Sequence, residues 1–131
     1  MNARELERKY IPLLRKVGGL LLLASADAVN LLDDSLNSEV KFLGVEAFRV
    51  FDNGSVQPTM EFSNIRFGKV EEIGGKLDVV EFKRGLQAPW LADPQVIQRT
   101  KALILEGTSK GYSWYEVSLE DPTTNELLFF R

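Results

Sequence analysis

Apolar residues near the start of the chain recur at helical spacing, and from residue 39 onward they recur mostly at strand spacing. Leu6, Tyr10, Leu13 or Leu14, and Val17 would line one face of a helix. Asn2 followed three residues later by Glu5 has the form of a capping box at that helix's start. Pro12 falls inside the pattern and cannot donate to the carbonyl of Arg8, so a kink or a fresh helix start is expected there. Gly18-Gly19 predicts the end of the segment. Residues 20–36 are rich in Leu and Ala, both strong helix formers. Leu21, Ala24, Ala28, Leu31 and Leu32 would share one broad face, with Leu20 and Leu36 extending it. A second helix is the favoured reading, although Leu20 to Leu23 alone could be a buried strand; the exit runs through Asp33-Asp34-Ser35 and Asn37-Ser38.

Residues 39–84 read as three or four strands punctuated by turns. In 39–51 both parities carry apolar groups: Val40, Phe42, Phe48 and Val50 on one, Leu43, Val45, Ala47 and Phe51 on the other. Successive strand residues point to opposite faces, so this strand should be central or covered on both sides. Asp52-Asn53-Gly54 supplies residue types that tolerate the positive φ of a hairpin turn. Pro58 cannot donate a ladder hydrogen bond and so predicts an edge, a bulge or a strand start. The apolar parity changes across Gly68, which predicts a bulge, and Gly74-Gly75 is a two-residue hairpin signal.

Beyond the irregular stretch 85–92, Asp93-Pro94 has the chemistry of a helix start. Val96, Thr100, Leu103 and Ile104 would suit one helix ending near Gly107. The favoured reading is a short helix over 94–100, then a strand through Ala102 to Leu105 joined to 112–119 by Thr108-Ser109-Lys110-Gly111. Tyr112 and Trp114 alternate with Tyr115, Val117 and Leu119, and 126–131 reads as a final strand. The expected fold is therefore α+β. Two N-terminal helices pack on a curved, meander-like antiparallel β-sheet of six or seven strands, in a single domain spanning 1–131.

Composition then narrows the chemistry. The chain has 131 residues, no Cys, no His and a net charge of −3. One domain of this length buries enough surface for its own core. Without thiol or imidazole, Ser–His and Cys–His catalysis, thiolate sites and His-ligated zinc are excluded. Any enzyme would have to use carboxylates, Lys, Tyr, Ser or an oxygen-liganded cation. Lys and Arg are scattered, so no basic run points to nucleic acid. The basic residues Arg4, Arg8, Lys9, Arg15 and Lys16 before the apolar 17–24, with Ala24-Ser25-Ala26 after it, mimic a secretory signal. Glu5 and Glu7 interrupt the basic part, and the apolar run is too short to span a bilayer as a helix. The segment is read as structural.

Candidate sites are few. Asp33-Asp34 and Glu71-Glu72 are adjacent acids at a helix exit and before a hairpin, read as solvated turn charges rather than a metal site. Arg84 and Trp90 lie in one loop and suit an interface anchor. Asp78, Tyr112 and Trp114 could line a pocket wall. The leading expectation is a small cytoplasmic, non-catalytic protein-interaction or adaptor domain, without metal or cofactor, that binds a protein partner or forms a homodimer and engages neither nucleic acid nor membrane. The alternative is a pocket protein or carboxylate-dependent enzyme, a cone-like α+β fold enclosing a small apolar ligand.

Overall fold

A computed structural model describes residues 1–65, 69–73, 76–81 and 94–129. The first helix, α1 (Ala3–Tyr10), begins as its cap predicts: the Asn2 side chain accepts from the Glu5 amide at 2.9 Å. It buries Ala3, Leu6, Glu7 and Tyr10, one turn apart along a single stripe. Pro12 sits at the start of a 3-10 turn, Ile11–Leu13, where its missing N–H would have no helical partner.

The chain then departs from the favoured helix and takes the alternative strand reading over 20–23. Arg15–Val17 forms β1 and Leu20–Ala24 forms β2, paired antiparallel with Val17 opposite Leu20 and Arg15 opposite Leu22. Gly18 and Gly19 have φ of 54° and 85°, so they turn a two-residue hairpin instead of ending a helix. Only Ser25–Ser35 is helical, as α2. Its first turn has no side-chain cap; the Ser25 amide and hydroxyl both donate to the Ser113 carbonyl at 3.1 Å.

Lys41–Val50 forms β3 and Val56–Ile65 forms β4. The hairpin between them is held by Asn53, whose Oδ1 accepts from the Ser55 amide at 3.0 Å, and by Gly54 at φ 83°. Lys69–Ile73 (β5) and Lys76–Glu81 (β6) make a separate two-stranded hairpin closed at Ile73 opposite Lys76. The expected bulge at Gly68 and the turn residues Gly74 and Gly75 lie outside the described residues.

Pro94–Ser109 is one continuous helix, α3, so the helical alternative holds and the favoured strand from Ala102 to Leu105 is not found. Ile97, Thr100, Ile104 and Gly107 are buried at three- to four-residue spacing, whereas Leu105 is 63% exposed. Of the run from Ala102 to Leu105, only Ile104 is buried and Leu103 half-buried, while Ala102 and Leu105 point outward, as on a helix. The helix closes on Gly111 (φ 94°), with Gly111 N bonded to Thr108 O and Tyr112 N to Gly107 O, the Schellman pattern.

Trp114–Glu120, β7, completes a five-stranded antiparallel sheet in the order β1-β2-β7-β3-β4. The sheet is not a meander. The last strand enters between β2 and β3, so β3 is central, as its two apolar faces predict, and Pro58 lies in the edge strand β4. The expected strand over 126–131 reduces, among the described residues, to one bridge between Glu120 and Leu127.

The three helices share one core with one face of the sheet. Leu6, Tyr10, Leu31, Leu32, Ile97 and Ile104 meet Leu23, Phe42, Val45, Ala47, Phe62, Tyr115 and Leu119 there. A register shift between Phe42 and Gly44 brings Phe42 to the same side as Val45 and Ala47. A second, smaller cluster joins Val17, Leu22 and Phe48, with Leu20, Val50, Val56 and Trp114 against them.

Candidate functional site

Strand pairing lays out this second face row by row. Val50 lies opposite Val56; Phe48 lies between Pro58 and Trp114; Glu46 lies opposite Glu116. Alternation sends Glu46, Phe48 and Val50 to the face away from Val45 and Ala47. The same rule puts Trp114 and Glu116 opposite Tyr115 and Val117. Successive rows are two residues apart, roughly 7 Å, so the carboxylates sit one row beyond the Phe48–Trp114 pair.

Like charges directly opposite each other on a sheet repel and destabilise it. Glu46 and Glu116 are each partly buried, and no cation or hydrogen-bond donor among the described residues pairs with either. Burial pushes both carboxyls above the ordinary glutamate range, and Glu46 pushes Glu116 further. The nearest arginine on this face, Arg15, is diverted: its guanidinium lies 4.9 Å from the Trp114 ring centroid. Arg15 stands opposite Leu22, and antiparallel register places Leu22 beside Glu116. Two strand spacings, about 9–10 Å, therefore separate the main chain at Arg15 from that at Glu116.

The predicted site residues do not converge. Tyr112 precedes β7 and packs against the main core, between the Phe62 ring at 5.7 Å and the Arg49 guanidinium at 4.5 Å. Arg49 is itself fixed by donating to the Lys110 carbonyl at 2.8 Å. Trp114 packs against the other cluster, so the shared face that alternation predicted for these two rings is not found. Asp78 lies in β6 opposite Glu71. Arg84 and Trp90 lie outside the described residues.

The adjacent acids have structural partners. Asp33 accepts from Lys101 at 2.6 Å, tying α2 to α3. Asp34 accepts from Lys9 at 2.7 Å and from the Tyr10 hydroxyl at 2.6 Å, tying α2 to α1. Burial raises the Asp34 carboxyl, but the donors Lys9 and Tyr10 outweigh it and hold the group below its usual range. Burial, and then the bond to Asp34, push the Tyr10 phenol far above its ordinary value. These acids are clasps between helices, not free turn charges. Glu71 and Glu72 are neighbours on β5.

Reading the sequence missed Glu46 and Glu116. Each breaks an apolar stretch, between Val45 and Ala47 and between Tyr115 and Val117. Their meeting depends on the β3–β7 pairing, which joins segments about 70 residues apart and has no local signature. Among the described residues no group of three or more acids is placed to hold a metal ion, and no helix is long and apolar enough to cross a membrane. Compared with protein-family models, curated proteins and solved structures, the chain has no match.

Proposed function

We propose that the protein is a non-catalytic interaction domain that binds a protein segment bearing Lys or Arg beside apolar residues, through the sheet face around Glu46 and Glu116. The observation that carries this reading is the opposed pair itself. Two carboxylates stand in register on adjacent strands, partly buried, with no cation among the described residues to offset them. Holding them together costs stability in the free protein. An ammonium or guanidinium from a partner would offset both charges and take up their partly desolvated acceptor sites. The partly exposed Leu20, Val50, Val56 and Trp114 around the row would take the partner's apolar side chains. Such a mixture of apolar contact and a few polar anchors suits a protein interface.

The test is selection from a random peptide library displayed on phage, run in parallel against the wild-type domain and the Glu46→Gln/Glu116→Gln variant. Peptides enriched on the wild type should carry Lys or Arg next to aromatic or aliphatic residues, and the double variant should lose them. Enrichment that survives the double substitution, or that shows no basic residue, would overturn the reading. The pocket alternative gains nothing from Tyr112 and Trp114, which pack against different clusters.

A further inference from the structure

Segment 126–129 follows β7 through a short turn and is fastened both to β7 itself and to α1, far away in sequence. β3 pairs along one edge of β7, while β2 pairs with the other edge only at Trp114 and Tyr115. Residues 126–129 meet the far end of that second edge, at Leu119 and Glu120. Leu127 bridges Glu120, and the Leu128 amide donates to the Leu119 carbonyl at 2.9 Å. Leu128 and Phe129 are then buried in the main core, 4% and 6% exposed. The Phe129 amide donates to the Glu7 carboxylate at 2.7 Å, and Arg4 reaches both Glu7 and Glu126 at 3.1 Å. Those last two contacts with the strap, Glu7 to Phe129 and Arg4 to Glu126, each span 122 positions.

The connection back to β7 is Asp121-Pro122-Thr123-Thr124-Asn125. It is closed by the Asn125 amide donating to the Asp121 carbonyl at 2.8 Å and the Thr123 amide donating to Asp121 Oδ1 at 2.9 Å. Asn125 holds φ 59°, and Phe129 beyond it holds φ 64°, in the left-handed region that side chains disfavour. Short connections under strain favour exchange of the element they carry.

We infer that segment 126–129 exchanges between two copies of this chain, each strap docking against α1 and β7 of the other through the same Glu7, Arg4 and Leu119 contacts. Every contact of the strap with its docking groups is reproduced in the exchanged dimer. Only the hydrogen bonds of the turn are lost, and the strain at Asn125 is released with them. This assigns the second copy as a partner and does not depend on the proposal for the sheet's other face.

The chain contains no cysteine, so single thiols report the exchange cleanly. Arg4→Cys chains and Glu126→Cys chains are mixed, concentrated, diluted and treated with a short bis-maleimide, then weighed intact. Exchange predicts covalent heterodimers from the mixture. It also predicts, for cysteine-free protein, a dimer in native mass spectra whose amount grows with the concentration of the preceding incubation. Asn125→Gly, which relieves the strain in the closed turn, should lower the dimer association constant at least about five-fold. A monomer at every concentration, or cross-links that form only within the Arg4→Cys/Glu126→Cys double variant, would overturn the inference. So would a dimer that Asn125→Gly leaves unchanged.

Discussion

The two faces of the five-stranded sheet are built from the same strands and solve the burial problem differently. On the helix side, the polar groups that go inside find partners within the chain: the Tyr115 hydroxyl donates to the Ile104 carbonyl at 3.0 Å, and Thr100 donates to the Val96 carbonyl at 2.8 Å. Among the described residues no buried side-chain polar atom is left without a partner. On the other side, a small cluster around Leu22 and Phe48 ends in two glutamates that face each other without a counter-charge among the described residues. The helix face satisfies its buried polar groups from within the chain. The other carries an opposed pair of carboxylates that no described residue offsets, and the proposed partner would act there.

The contrast predicts that truncation will cost most on the helix side. Ile104 is fully buried and touches the core shared by all three helices. Ile104→Ala should lower unfolding stability by about 2–5 kcal/mol, measured by urea denaturation. A loss below about 1 kcal/mol would mean that this face relaxes around the cavity and is not the well-packed side.

Gly107 tests the same packing from the opposite direction. A Cβ there would lie 2.5 Å from the Tyr115 hydroxyl oxygen and 2.9 Å from Phe62 Cβ. Ala in place of Gly within a helix gains roughly 1 kcal/mol of propensity. Overpacking a tight site costs about 1–3 kcal/mol. Tyr115 is pinned by its bond to Ile104, and Phe62 would be met near its backbone, so neither yields easily. Gly107→Ala should therefore destabilise on balance, by up to about 2 kcal/mol. A more stable variant would show that the contact relaxes without strain.

How much of this could be read in advance follows from whether the signal was local. The Asn2 cap, the Asp52-Asn53-Gly54 turn, the edge position of Pro58 and the central position of β3 depend on chemistry within a few residues, and all four are found. The Gly18-Gly19 hairpin was equally local, yet helical leucine and alanine on its far side masked it. The glycine-pair rule applied to Gly74-Gly75 would have applied there as well. Residues 102–105 carry apolar side chains at every position, so period alone cannot separate strand from helix; only burial by Phe62 and Tyr115 decides it. The insertion of β7 between β2 and β3, and with it the meeting of Glu46 and Glu116, has no local trace.

The second face should respond more weakly. Arg15 is exposed and stacks on Trp114 at 4.9 Å. Arg15→Gln removes the cation while keeping most of the stem, and should cost about 0.5–1 kcal/mol by chemical denaturation. A quench or shift of Trp114 fluorescence would report the same contact. If stability fell as far as with Ile104→Ala, the distinction between the faces would collapse.

The smallest effect has the most informative sign. Both glutamates hold their protons more tightly in the folded chain than ordinary glutamates do. The unfolded chain releases them around pH 4.3, the usual glutamate value. Between that pH and the higher folded values the native state binds more protons, so its stability falls as pH rises. The contribution of the pair is full below the ordinary range and lost above the raised one. Asp34, held below its usual range, slopes the other way at lower pH, so the pair must be read as a difference. Subtracting the unfolding free energy of Glu46→Gln/Glu116→Gln from that of the wild type, pH by pH, removes every common group. That difference should decline as pH rises above about 4.3 and level off at neutrality. There the double variant should be the more stable protein, by a few tenths to about 1 kcal/mol, the usual cost of opposed like charges on a sheet. A double variant less stable at neutral pH would mean that the pair already has its counter-charge within the chain. In that case the charge on this face would be complete, and the argument that it awaits a basic partner would fall.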